Sequence, residues 1–183
     1  MNDDINRLLQ SGITLITSTQ RLSRHLRYRY ARHQVELGNK AWQTPDCLPW
    51  SAWCKRTFDS LVHRDTSRPV LLSPLQQQWY WQDIIQRSSY RERLLQTSAT
   101  ARQAVWAYQL CKQWGIPIFP DGVYLSEDAL AFRHLATTYE ARKHEGGWLD
   151  EASLPDYLAE KMAEHKPDIP QLALYGFDDL TPQ

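Results

Sequence analysis

A short apolar strand pattern, followed at once by a long helical pattern, limits this chain to few architectures. The segment 13–17 is β-branched and apolar and comes directly after Gly12, which is typical of a buried strand. A helix-capping residue follows, Ser18 or Thr19, and apolar side chains then recur at helical spacing until Gly38. A strand, a tight turn and a long helix predict the opening of an α/β unit.

The rest of the pattern predicts one more early strand and then mostly helices. Residues 41–44, before Pro45, predict a second short strand, and a helix is predicted from Pro49 to about residue 63. From Ser73 onward nearly all of the periodicity is helical. The helices predicted there span residues 74–88, 99–114, 127–144 and 153–165.

The last apolar run, residues 172–175, predicts another buried strand. The sequence ends eight residues later. A parallel sheet that stops directly after a core strand is unfinished, so we expect this sequence to be a fragment of a longer protein.

The charges of the chain sum to zero but are unevenly distributed. Residues 1–120 carry 16 basic and 8 acidic side chains, whereas residues 121–183 carry 5 and 13. The first part therefore has a formal charge of +8 and the second of −8. A hydrophobic fraction of 42% is ordinary for a folded domain, so the chain is predicted to fold rather than to be disordered.

Several classes of protein are excluded by what the sequence lacks. No run of about 18 apolar residues is present, and the N-terminus is acidic where a signal peptide is basic, so we expect a cytoplasmic protein without a membrane partner. The three cysteines match no zinc spacing, and the six histidines include no HExxH motif. We therefore predict no metal site and no catalytic residue.

The turn after the first strand occupies the place of a phosphate-binding P-loop. A P-loop needs glycines, so that backbone N–H groups can approach a phosphate, and a lysine that reaches its outer oxygens. This turn, which includes Ser18, Thr19, Gln20 and Arg21, has neither. These four residues could hold an anion at the helix N-terminus, but the alternative is a plain capped helix.

The last strand leads into a segment that resembles a Walker B motif. In superfamily I helicases an apolar strand leads into Asp-Glu, an apolar residue and Gln-Asp. On that pattern Tyr175 takes the place of the metal-holding Asp and Gly176 that of the catalytic Glu, while Asp178 replaces the Gln and Asp179 matches the second Asp. The groups that hold magnesium and activate water are therefore missing.

A third segment strengthens this likeness. Tyr139, a basic helix end at 142–143, and the turn from Leu149 and Asp150 to Leu154 match, in order and spacing, the end of the helical subdomain in these helicases. The chain is thus similar to an inactivated superfamily I helicase domain. It resembles the B subunit of AddAB-type helicase-nucleases and related bacterial DNA repair proteins.

The resemblance implies an α/β fold with a RecA-like (P-loop NTPase-type) parallel sheet. The core would comprise residues 1–66 and 167–183, and a large helical insertion would comprise residues 67–166. ATP and Mg²⁺ binding would be lost, so no cofactor is expected. The resemblance also implies that the parent protein carries a PD-(D/E)xK nuclease domain beyond this chain. No enzymatic activity is expected for the 183 residues themselves.

The first helix is unusually basic. It carries five arginines between residues 21 and 33 and no acid in that stretch. Arginine binds phosphate oxygens and an exposed aromatic ring stacks on bases, so Arg21, Arg24, Arg27 and Tyr28 are candidate contacts for single-stranded DNA. The resemblance adds Thr44, which follows the second predicted strand. The alternative is a solvated face, or one that pairs with the acidic part of the chain.

These observations predict a helicase-like module without ATPase activity, which binds or scans DNA and docks a helicase-nuclease partner subunit in DNA repair or recombination. A protein-interaction scaffold without DNA binding is the first alternative. An active superfamily I ATPase is the second.

Overall fold

The chain is a helix-rich α/β protein with a small parallel sheet of three strands. The computed structural model describes residues 2–62, 68–91, 96–118, 124–165 and 171–183. Two compact units are formed, one from residues 1–64 and 161–180 and the other from residues 65–160 and 181–183. The domain boundaries predicted near residues 66 and 167 lie outside the described residues. Within the described ranges, no helix has the length and apolar character needed to cross a membrane.

The elements follow the predicted order closely. They are α1 (Asn2–Gln10), β1 (Thr14–Thr17), α2 (Gln20–Glu36), β2 (Cys47–Pro49), α3 (Trp50–Val62), β3 (Val70–Leu71), α4 (Pro74–Arg87), α5 (Thr97–Gln113), α6 (Glu127–Glu145), β4 (Trp148–Leu149), α7 (Leu154–His165) and β5 (Leu172–Tyr175). The first strand and the helices predicted after it are confirmed to within two residues at each described end. The helix α1 and the strands β3 and β4 were not predicted.

The sheet of the first unit is built around β1. This strand lies between β2 and β5 and is parallel to both. Thr17 is opposite Pro49 on one side and opposite Tyr175 on the other. Because all three strands run in the same direction, their C-terminal ends lie at one edge of the sheet.

The second strand is not where the sequence pattern placed it. Residues 41–44 are exposed and form no regular structure, and β2 begins at Cys47. The reason is Asp46, whose backbone oxygen accepts a 2.8 Å hydrogen bond from the N–H of Leu15 and so starts the ladder. Its carboxylate accepts a hydrogen bond from the Thr14 hydroxyl and two from the Arg56 guanidinium, at 2.7 and 3.0 Å. These bonds fix the register of β2 against β1.

The two faces of the sheet differ in cover. On one face Leu15 packs with Leu9, Leu26 and Tyr30 from α1 and α2, and Tyr175 of β5 packs against this cluster. On the other face α3 contacts β1 and β2. Leu172 and Leu174 of β5 are 40% and 52% exposed. The prediction that β5 is buried is therefore wrong for one of its faces, because β5 is an edge strand and no described helix of its unit covers that side.

The second unit is organised by three aromatic side chains. Trp81 of α4, Tyr108 of α5 and Tyr139 of α6 are buried, with ring centroids 4.7 to 5.7 Å apart. Ser73 caps α4 through a capping box, and a two-stranded parallel sheet of β3 and β4 lies in the same unit. Two residues per strand are too few for a periodicity to be recognised in the sequence, which is why β3 and β4 were missed.

A buried polar network lies beside these rings. The Lys143 ammonium donates hydrogen bonds to the hydroxyls of Tyr108 and Ser153, at 2.8 and 2.9 Å. It also forms ion pairs with Asp150 at 3.2 Å and Glu140 at 3.0 Å. Burial raises the pKa of the Tyr108 and Tyr139 hydroxyls, and the nearby Asp150 carboxylate raises both further. The network is therefore held by a cation, two carboxylates and neutral phenols.

The uneven cover of the sheet predicts that two leucines differ in their contribution to stability. Leu15→Ala removes a side chain that is 2% exposed, so we expect a loss of about 2–5 kcal/mol in the free energy of unfolding. Leu174→Ala, on the exposed side of β5, is expected to change it by about 0.5 kcal/mol or less. Urea denaturation followed by circular dichroism measures both. Equal losses would mean that the exposed side of β5 is covered in solution.

The polar network predicts a dependence of stability on acid. Burial opposes ionisation of Glu140, but hydrogen bonds from Tyr108, Lys143 and Lys112 outweigh it and lower the pKa of this carboxyl from 4.5 to about 2. The stabilisation is thus complete above about pH 4.5 and is lost as pH falls towards 2. Glu140→Gln is expected to make this fall shallower in denaturant titrations, and the exposed Glu145→Gln is its control. Parallel acid profiles for both variants would contradict the assignment.

Candidate nucleic-acid interface

The turn between β1 and α2 is a tight, side-chain-capped connection. Only Ser18 and Thr19 separate the two elements, and both are exposed. Thr19 has extended backbone angles (φ −139°, ψ 151°), and its hydroxyl oxygen accepts a 3.2 Å hydrogen bond from the N–H of Leu22. Thr17 is buried, and its hydroxyl donates to the backbone oxygen of Thr19 at 3.0 Å. A turn of this length and conformation caps a helix rather than wrapping a phosphate.

The end of β5 lies beside this turn. Gly176 follows Tyr175 directly, and its φ of +75° is a conformation that glycine adopts without strain. A Cβ built on Gly176 would lie 2.3 Å from Cδ2 of Leu22 and 3.6 Å from the Ser18 hydroxyl oxygen. The structure therefore brings the two segments that resemble the P-loop and Walker B positions close together.

The residues predicted for a degenerate nucleotide site have different surroundings. Tyr175 faces the apolar cluster on the α2 side of the sheet and is half-buried there, so its ring is a core contact. Gln20, Arg21, Asp178 and Asp179 are exposed. Across the described part of the chain, no group of three or more metal-binding side chains comes together.

The residues predicted to contact DNA do not all lie on one surface. Arg21, Arg24 and Tyr28 are exposed on α2. Arg27 is half-buried and close enough to Cys47 of β2 to act on its thiol, whose pKa burial raises to about 11 despite the lowering effect of Arg27. Thr44 precedes β2 and so lies at the N-terminal edge of the sheet, opposite Thr19. The prediction that Thr44 follows the second strand is wrong, because the strand begins three residues later than Thr44.

A groove that the sequence did not reveal opens between α1 and α2. Its volume is about 670 Å³. It is lined by Asn6 of α1 and by six residues of α2, namely His25, Tyr28, Arg29, Arg32, His33 and Glu36. The α2 residues recur at helical spacing and share one face, a pattern that a helical projection of α2 would have shown. The other wall could not be anticipated without the helix α1.

Comparison with known protein families and with curated protein sequences finds no match to this chain.

The close approach at Gly176 predicts a measurable cost of adding a methyl group there. Gly176→Ala places a Cβ against Leu22 at positive φ, so we expect the free energy of unfolding to fall by more than the roughly 1–2 kcal/mol that the left-handed backbone costs on its own. Gly12→Ala is the matched control, since φ is +78° there but the new Cβ would meet no atom within 4 Å. Denaturant unfolding compares the two variants. A larger loss at Gly176 reports the contact with Leu22, and a larger loss at Gly12 would argue against it.

Proposed function

We propose that this chain is a RecA-like, helicase-like module that does not hydrolyse ATP, and that it binds single-stranded DNA within a DNA repair or recombination protein. In this proposal the module also docks a partner subunit of the helicase-nuclease type. The chemistry of the module is binding alone, because catalysis would need a lysine at the first turn and a carboxylate pair at the end of β5.

The observation that carries the proposal is the meeting of two turns at one edge of a parallel sheet. Nucleotide-binding proteins of the P-loop type use the turn after a strand and the end of a second parallel strand in this way. Here Gly176 packs against the first turn of α2, but the turn is short and is capped by Thr19. The arrangement supports a helicase ancestry, and the side chains support the absence of ATP hydrolysis.

The charge on α2 supports a nucleic-acid ligand. This helix contains five arginines and one acidic residue, Glu36, which pairs with Arg32 at 3.0 Å. Among the described residues of the same unit, Arg21, Arg24 and Arg29 form no ion pair. Guanidinium groups that are not neutralised within the fold are available for phosphate oxygens.

A second candidate function, a protein-interaction scaffold, is favoured by β5. Its free edge and the half-exposed Leu172 and Leu174 form an apolar strip, which is typical of a surface that another chain covers. The two candidates are compatible in a multisubunit protein, but only the first predicts DNA binding by this chain alone.

Titration of the purified chain against a fluorescent oligothymidylate tests the proposal. We expect a dissociation constant in the range of about 1–100 μM at physiological salt, as for other non-specific DNA contacts. Arg21→Ala/Arg24→Ala should weaken binding at low salt and reduce the slope of log K against log salt by about 0.7 per lost phosphate contact.

The control is Arg91→Ala/Arg102→Ala, which removes two exposed arginines from the other unit and should leave affinity unchanged. Addition of ATP and Mg²⁺ is expected to have no effect on binding. Absence of binding by the wild-type chain at low salt would overturn the proposal and favour the scaffold. Magnesium-dependent ATP binding would revive an active ATPase.

A further inference from the structure

We propose that the groove between α1 and α2, here called the α2 groove, binds one nucleotide unit of single-stranded DNA, with the base stacked on Tyr28 and the phosphates held by Arg29 and Arg32. The inference rests on the proposed function, because it specifies where the DNA binds. It assigns the binding to a face of α2 that is separate from the turn at Thr19.

The groove gathers positive and hydrogen-bonding groups along one stripe of α2. His25, Arg29 and Arg32 are spaced at intervals of three and four residues, which places them on consecutive turns of one face. Arg21 precedes His25 by one turn and is exposed, so the stripe extends to the start of the helix. Such a row offers donors at a spacing that a flexible phosphate backbone can follow.

Tyr28 provides the feature that favours a nucleotide over a simple anion. Its side chain is 68% exposed although it lines the groove, and within its unit the described residues make no ring contact with it. An exposed tyrosine face next to guanidinium groups is the combination that single-strand DNA-binding proteins use, because every base has a face that can stack.

The size and the remaining wall of the groove fit the same ligand. A volume of about 670 Å³ lies within the range of roughly 300–1,000 Å³ that small-molecule sites occupy. Asn6 of α1 adds an amide, which can both donate and accept hydrogen bonds at a base edge. Glu36 lies at one end of the groove, where its carboxylate accepts a 3.0 Å hydrogen bond from Nε of Arg32. This bond uses one of the five N–H donors of Arg32, so those on its two terminal nitrogens are left for a phosphate oxygen.

The base and the phosphates can be tested separately with two oligonucleotides of equal length, oligothymidylate and its abasic counterpart. Tyr28→Ala is expected to weaken oligothymidylate binding about fivefold or more and to leave abasic binding unchanged, because only the former has bases to stack. Tyr124→Ala is the matched control, since Tyr124 is 98% exposed and lies in the other unit. Circular dichroism checks that each variant is folded, and replacement by alanine favours the helical state.

The phosphate contacts are distinguished from the base contact by their effect on both oligonucleotides and on the salt dependence of binding. Arg29→Ala/Arg32→Ala should weaken both oligonucleotides and reduce the salt slope by about 1.4, the value for two phosphate contacts on a single strand. The Arg91→Ala/Arg102→Ala variant provides the control for loss of charge. Crosslinking of a 5-iodouracil-containing oligonucleotide, mapped by mass spectrometry, is expected to modify Tyr28.

The outcomes separate this inference from the proposed function. If the wild-type chain binds no oligonucleotide, both are overturned. If it binds but Tyr28→Ala behaves like Tyr124→Ala and no crosslink forms at Tyr28, the α2 groove is overturned while DNA binding stands. Displacement of the oligonucleotide by polyglutamate at equal charge concentration would also overturn the groove assignment, because it would indicate an acidic protein ligand. So would an affinity for thymidine monophosphate equal to that for oligothymidylate, because it would indicate a free nucleotide as the ligand.

Discussion

Pairing of β1 along both of its edges is the constraint on which the first unit depends. The bond from Leu15 to Asp46 sets the register with β2, and the pairing of Thr17 with Tyr175 sets the register with β5. Because these are backbone bonds between parallel strands, the turns that follow β1 and β5 meet at one sheet edge whatever side chains they carry. The meeting point is therefore a property of the topology, whereas tight binding of a phosphate there depends on glycine and lysine residues that the turn after β1 lacks.

The second unit depends on a different kind of interaction. The ammonium group of Lys143 is shared by Asp150, Glu140 and two hydroxyls in a largely buried setting. Removal of Lys143 would leave the buried Asp150 carboxylate without an ion pair among the described residues, whereas Glu140 would keep its pair with Lys112. Such a network discriminates between alternative packings of α5 and α6 more sharply than apolar contacts do, because a shifted helix would leave buried charges unpaired.

The sequence predicted the elements whose signals are long and consistent. The strand at β1 and the helices α2 and α4 to α7 form as expected, and α2, α4 and α6 begin at side-chain caps, Thr19, Ser73 and Ser126. The position of β2 was missed because its register is set by the Asp46 contacts, which involve residues distant in sequence. The α2 groove was missed because one wall belongs to α1, a helix at the acidic N-terminus whose pattern was not recognised. The arginines were predicted from their positions on the predicted helix, but their division between a groove, an exposed face and the vicinity of Cys47 required the fold.

The uncovered side of β5 has a thermodynamic consequence. A chain that covers Leu172 and Leu174 would bind the folded protein and not the unfolded one, because the strip exists only when β5 is paired with β1. By linkage, the stability of the first unit would then rise with the concentration of that chain, by about 2.7 kcal/mol at one hundred times its dissociation constant. The free energy of binding the covering chain would thus add to the free energy of unfolding, so the concentration of that chain would help to determine the fraction of this protein that is folded.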